Sequence, residues 1–455
     1  MKGEIVFEAD EKAPLLEEKK ANIYKPGIVG NLLLSFSVYT NGAKILTVDQ
    51  GKDVLTCING IRFLSMTWVI LGHAYGGPLQ IADNVATYLP QMLERWTFFA
   101  VANAFPSVDS FFTLSGCLLT YLVMKELRSN NGKMKWGMFY FHRFWRLTPP
   151  YMLILMVYVS LFHYSGSGPN WNKDGPERNH CEKAWYYNLL YVNNFVEERD
   201  NKCMGWAWYL ANDMQFFVIS PLIIIPLFHV HLVGVIVLMV FLLGTWIATG
   251  VISTHYNISA SNFDGGLGED DRQEIYIRPY CRMGPYLVGM YTGYLLYKHN
   301  CKFSMSKWLN FLGWTLATAA GLAVVYSIYD DVNNERWSTE VAAFYNTVHR
   351  TVWGACVSWV IFACATGNGG FVNTILSWKG LIPLSRLTYM AYLTHMPVIT
   401  HFRMTQHKMI HLSDKEFIYE FLGHTVISYM IAFVTSLAFE SPMMGLERVL
   451  LKRKE

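Results

Sequence analysis

The sequence predicts an all-α, polytopic integral membrane protein with about ten transmembrane helices. Three observations carry that expectation. Of the 455 residues, 52% are hydrophobic and only 16% charged, against about 25% charged in an ordinary globular chain. Apolar runs of about 20 residues, the length that crosses a hydrocarbon core, recur through the chain. The charge of the connecting segments alternates between basic and acidic.

The runs fall at about 57–75, 99–124, 147–164, 207–228, 231–252, 281–298, 308–328, 345–365, 381–402 and 417–440. Three connections that fall on one side of a ten-span chain are basic. The 125–146 segment holds Lys125, Arg128, Lys133, Lys135, Arg143 and Arg146 against one acid, Glu126. The 298–307 segment holds Lys298, Lys302 and Lys307, and the tail holds Arg448, Lys452, Arg453 and Lys454. The opposite connections FDGGLGEDDRQE and YDDVNNERWSTE are acidic. Basic loops stay in the cytosol, so both termini are expected there. The domain expectation is a cytosolic arm at 1–56, a ten-span domain at 57–440 and a basic cytosolic tail at 441–455. The N-terminal MKGEIVFEADEKAPLLEEKK has no apolar h-region and does not read as a signal peptide. Within it, Glu11 precedes Leu15-Leu16 with the spacing of an acidic dileucine sorting signal, on a plasma-membrane or endomembrane protein.

Net charge is only +3, so no nucleic-acid surface is expected. Two features suit the external side. Asn257-Ile258-Ser259 is an N-glycosylation sequon. Cys181 and Cys203 flank WYYNLLYVNNF and are expected to pair in an oxidising compartment, the alternative being two free thiols.

The first run, INGIRFLSMTWVILGHAYGG, carries Arg62 and His73. Eleven residues at 100° each bring them within about 20° of one face, separated by roughly 16 Å along the axis. Ionisable groups inside a span usually face a cavity or a partner. The alternative is a snorkelling arginine and an interfacial histidine. Asp109 enters the second run at a depth like that of His73. It reads either as the carboxylate that orients a histidine base or as a helix cap in SVDS. Gly116, on nearly the same face as Asp109, lets a neighbouring helix approach closely. Ser115 lacks the first glycine of a nucleophile elbow. In FYFHRFWRLTPPYM, Arg143 and Arg146 share a helical face, and Thr148-Pro149 reads as the cap and first turn of the third span. Two arginines at a helix N-terminus suit phosphates, unless they only anchor topology. Asp213 in WAWYLANDMQFF, Arg282 in YIRPYCRMGPYL and His395 in PLSRLTYMAYLTH complete a set of cavity candidates. His407 and His411 lack a supporting ligand pattern, so no metal is expected.

Several of these stretches occur together in a known order. GIRFLSMTWVILGHAY, SVDSFFTLSGCLLTYL, HRFWRLTPPYM, WYLANDMQF and PLSRLTYMAYLTH resemble the acyltransferase-3 superfamily. More closely they are similar to its animal branch, the nose-resistant-to-fluoxetine proteins. The resemblance covers about residues 30–445. It implies acyl transfer from a cytosolic donor, acyl-CoA, to an acceptor hydroxyl at the luminal or extracellular side, among membrane lipids and with no bound cofactor. It makes His73 the catalytic histidine, Arg62 its motif partner, Asp109 its support, and Arg143 with Arg146 the donor contacts. Typical animal members also carry an external cysteine-bearing N-terminal domain and an extra first span. A transporter of lipids or lipophilic molecules is the alternative reading, because proton relays use the same residue types. A scaffold or receptor acting through its external loops is a third.

Overall fold

The computed structural model describes residues 27–51, 55–76, 79, 81–171, 177–196, 203–261 and 274–451. The Glu11/Leu15-Leu16 signal lies outside the described residues. Among these residues the structure is helical, with one isolated bridge between Ala82 and Ile410.

The helices that build the fold are α1 (Ile28–Ser35), α2 (Val38–Leu46), α3 (Cys57–Gly76), α4 (Pro106–Ser129) and α5 (Trp136–Leu161). Then come α6 (Trp208–Ile219), α7 (Pro221–His229), α8 (His231–His255), α9 (Pro279–Lys298) and α10 (Lys307–Tyr326). The last are α11 (Thr339–Ala365), α12 (Leu381–Met404), α13 (Asp414–Thr435) and α14 (Ser441–Leu450). Serine side chains start three of the long ones, Ser306 on Leu309 N, Ser338 on Val341 N and Ser413 on Glu416 N, each satisfying an orphan amide. Among the described residues, seven helical segments are long and apolar enough to cross a bilayer: 106–129, 136–164, 205–229, 231–255, 307–333, 339–365 and 414–450. Of the other expected spans, α3, α9 and α12 match in position, but these three carry Arg62, Arg282 and Arg386 in their apolar runs.

The centre of the bundle is the pair α4 and α9, which run parallel in backbone contact. A Cβ added to Gly116 would stand 2.2 Å from the Tyr286 carbonyl oxygen; at Gly289 it would meet Thr113 O, and at Gly293 Cys117 O, both also at 2.2 Å. Gly289 and Gly293 form a G-x-x-x-G step, the small-residue contact that lets membrane helices meet where the hydrophobic effect no longer drives them together. Helices α8, α10 and α11 wrap this pair on one side, and α3, α12 and α13 pack together on the other.

The third span departs from the expected start. Helix α5 begins at Trp136 and runs through Thr148, Pro149 and Pro150 without ending. Thr148 is buried and bonds the Tyr191 hydroxyl at 2.9 Å, while the Tyr389 hydroxyl donates to Leu147 O at 2.8 Å. Neighbouring side chains thus supply polar contacts where prolines interrupt the ladder, the usual way a membrane helix tolerates them. Arg143 and Arg146 therefore stand within a helix and not at its N-terminus.

Cys181 and Cys203 are bonded. They hold the segment after α5 against its end, where the half-buried Glu177 accepts from Met204 N at 3.0 Å and faces the Tyr158 hydroxyl at 3.5 Å. Burial outweighs these bonds and lifts the Glu177 carboxyl from 4.5 to about 7. An acid whose pKa rises on folding is bound more tightly to its proton in the folded chain, so its contribution is present below the ordinary carboxylate range and is lost as pH rises through about 7. The melting temperature of the purified protein is expected to fall between about pH 5 and about pH 8. Glu177→Gln should flatten that slope; an unchanged slope would show that Glu177 is not its source.

Candidate active site

A single cavity of about 1240 Å³ is bounded by α1, α2, α3, α4, α5, α6, α12 and α14. Each helix contributes one face. On α4 the lining residues are Val108, Phe111, Leu114, Ser115, Leu118, Leu119 and Leu122, the i, i+3, i+4, i+7 pattern of one helical stripe. On α3 they are Arg62, Val69 and His73, so the two ionisable groups of the first span open into the same space.

At one end of the cavity stands His73. Its Nδ1 lies 3.0 Å from the Val69 carbonyl oxygen. A carbonyl only accepts, so in the neutral ring Nδ1 carries the proton and Nε2 keeps the lone pair. A second imidazole faces it. His395 of α12 has its ring centroid 5.2 Å from that of His73, its Nδ1 bonds Tyr392 O at 2.6 Å, and its buried Nε2 has no hydrogen-bond partner among the described residues. From the end of α12, Arg403 donates to the His73 carbonyl oxygen. Trp206, Trp208, Tyr209, Tyr276 and Tyr392 also line the cavity with aromatic surface.

Asp109 is not the carboxylate beside His73. It is fully buried and paired with Arg282 of α9 at 3.3 Å. The Arg282 guanidinium also lies 4.9 Å from the ring centroids of both Trp208 and Tyr276. The pair sits behind the aromatic wall, and the group that orients His73 is a backbone carbonyl of its own helix. Nor does Asp109 cap α4 with its side chain.

Midway along the cavity, Asp213 of α6 accepts from Ser115 Oγ at 2.6 Å and pairs with Arg143. Ser115 is thus a donor to a buried carboxylate. Arg143 is held by that same carboxylate and also stacks 5.0 Å from the Phe217 ring. At the far end stand Arg62 and Arg146, neither with a hydrogen-bonded acid among the described residues, together with Lys44, Arg386 and Arg448. Arg386 donates to the carbonyls of Lys44 at 2.8 Å and Ile45 at 3.0 Å, capping the C-terminus of α2. That bond docks the α1–α2 hairpin over this end of the cavity.

The acyltransferase-3 family model, described as an acyltransferase domain, matches residues 55–440. The chain belongs to that family. It is 32% identical over 98% of its length to the nose resistant to fluoxetine protein 6 of Caenorhabditis elegans, of which it spans 57%. It is 25% identical over 55% of its length to the regulator of hypoxia-inducible factor 1 of the same organism, spanning 53% of that protein. A Staphylococcus aureus protein provisionally named as an O-acetyltransferase is 25% identical over 41% of this chain and 27% of its own length. No solved structure matches. Of the residues the sequence pointed to, Arg62, His73, Ser115, Arg143, Arg146, Asp213 and His395 line the cavity, while Asp109 and Arg282 do not; it missed Tyr392, which lines it, and Arg403, which bonds the His73 carbonyl. Tyr392 and Arg403 sit three and eight residues from the sole cavity candidate recognised on their helix, His395, so the signal lay in that helix's polar positions.

Proposed function

We propose that this protein is an integral-membrane O-acyltransferase that moves an acyl group from acyl-CoA to an acceptor hydroxyl. One observation supports the reading above the others: a single cavity holds guanidinium groups at one end and an imidazole with an open Nε2 at the other. The phosphates of the donor bind Arg62 and Arg146, with Arg143 set in place by Asp213, and the pantetheine arm carries the thioester toward His73. There His73 Nε2 takes the proton of the acceptor hydroxyl, and the oxygen attacks the thioester carbonyl. The tetrahedral oxyanion collapses and expels the CoA thiolate, which takes the proton from the imidazolium. The products are an ester and free thiol, and the cycle requires no bound cofactor.

The basic end, with the 130–135 loop and both termini, faces the cytosol in this proposal, and the acceptor enters from the luminal or extracellular side. Asn257 is exposed, and glycosidase treatment should shift the wild-type band and not that of Asn257→Gln. Accessibility of a C-terminal tag outside intact cells would reverse the assignment.

The donor site has its own test. Arg62→Ala and Arg146→Ala should each weaken acyl-CoA binding about 10- to 100-fold, the weight of one charge-assisted contact of roughly 1.5–3 kcal/mol. Lysine should rescue poorly where the contact is bidentate. Calorimetric titration with a non-hydrolysable acyl-CoA reads both. Unchanged affinity in the double alanine variant would reduce these residues to topology anchors.

A further inference from the structure

We infer that the acyl group is a long-chain fatty acyl whose tail runs along α4 and leaves the cavity sideways into the bilayer, an inference that rests on the acyl-transfer reading. The wall of α4 from Val108 to Leu122 lines the cavity along a 15-residue stretch, about 21 Å of helix from first to last, and Ser115 is the one polar side chain among its lining residues. Toward the basic end that wall is Leu118, Leu119 and Leu122. Leu122 lines the cavity and is also 58% exposed. It stands seven residues before the end of α4, about 10 Å inside that helix terminus. A cavity-lining residue this exposed marks an opening of the cavity in the flank of the bundle. Ile28 of α1 lines the cavity as well and is 71% exposed.

Charge fixes which molecule uses the opening. Arg62, which also lines the cavity, stands five residues into α3, about 8 Å from that helix's start. Helices α3 and α4 run in opposite directions, so Arg62 and Leu122 lie at matching depth. An anionic headgroup and an apolar tail are therefore recognised side by side at one level. An acyl-CoA lying in the membrane surface has that arrangement: its tail is already in lipid and its phosphates are at the interface. It enters as a hairpin, phosphates on the arginines, thioester near His73, and tail folded back along Leu119 and Leu118 to leave past Leu122. An acetyl group would leave this lane empty.

The test is chain-length dependence in purified protein reconstituted into nanodiscs, with acetyl-, octanoyl- and palmitoyl-CoA as donors and free thiol as readout. The rate constant kcat/KM should rise by roughly fourfold per methylene taken up by the lane, the equivalent of ~0.8 kcal/mol per buried CH₂, and then level off once the tail emerges into lipid. Leu118→Trp and, separately, the more exposed Leu122→Trp should cut turnover of palmitoyl-CoA at least tenfold and move the optimum to a shorter chain, in protein with wild-type elution and melting profiles. Acetyl-CoA preferred over palmitoyl-CoA, with thiol release still dependent on His73, would overturn the long-chain assignment and leave acyl transfer standing. No thiol release from any donor would overturn both.

Discussion

Asp109→Ala is expected to destabilise the fold by about 3–5 kcal/mol, because it strands a buried guanidinium without its counter-ion. Asp109 and Arg282 are both fully buried and join α4 to α9, the two helices whose backbones touch at Gly116, Gly289 and Gly293. The orphaned Arg282 keeps only the surrounding rings, which replace little of a carboxylate. A double variant, Asp109→Leu with Arg282→Met, should recover most of the loss, since replacing both members of a buried pair by apolar groups is often neutral. Thermal unfolding of the purified proteins measures this directly. If Asp109→Ala instead melts like wild type and only acyl transfer slows, the carboxylate acts on His73 after all, and the assignment to Arg282 fails.

His73→Ala is the second large effect. Loss of a positioned general base typically lowers the rate 10²–10⁴-fold, and transfer should fall by that amount. Donor affinity should stay near wild type, because Arg62 and Arg146 are at the other end of the cavity. The orienting contact is a backbone carbonyl, Val69 O, so it survives every side-chain substitution around it. His395→Ala separates the two imidazoles: as a neighbour whose Nδ1 is committed to Tyr392 O, it should cost less than His73→Ala. Equal losses in both single variants, with no further loss in the double, would make the histidines one unit.

Much of the fold was legible because the bilayer permits few answers. A 20-residue apolar run has one economical conformation in lipid, and α3, α8, α9, α11 and α12 fall where the runs predicted them. Gly116 was legible as a close-approach site for the same reason that Gly289 and Gly293 turned out to be: a missing Cβ inside a span admits a neighbour. What escaped the sequence was pairing. Asp109 and His73 sit at similar depths on adjacent helices, and depth alone could not tell that Asp109 faces α9 and His73 faces α12. Thr148-Pro149-Pro150 carried a strong start signal in solution terms. In the bundle, the Tyr191 and Tyr389 hydroxyls from distant parts of the chain supply the polar contacts there, and the helix runs on. Helices α1 and α2 were hidden because neither is long enough to declare itself. Their placement depends on Arg386, more than 300 residues away in sequence.

In the proposed reaction the cavity couples a CoA thioester to a hydroxyl through His73. The most direct measurement follows the purified, reconstituted protein given acyl-CoA and a membrane-lipid extract, with thiol release and acylated product quantified together by mass spectrometry. Free CoA and new ester should form in equal amounts, both lost in His73→Ala. Uptake of a lipophilic molecule across the bilayer that depends on His73, with neither thiol nor ester formed, would contradict it and make the chain a transporter.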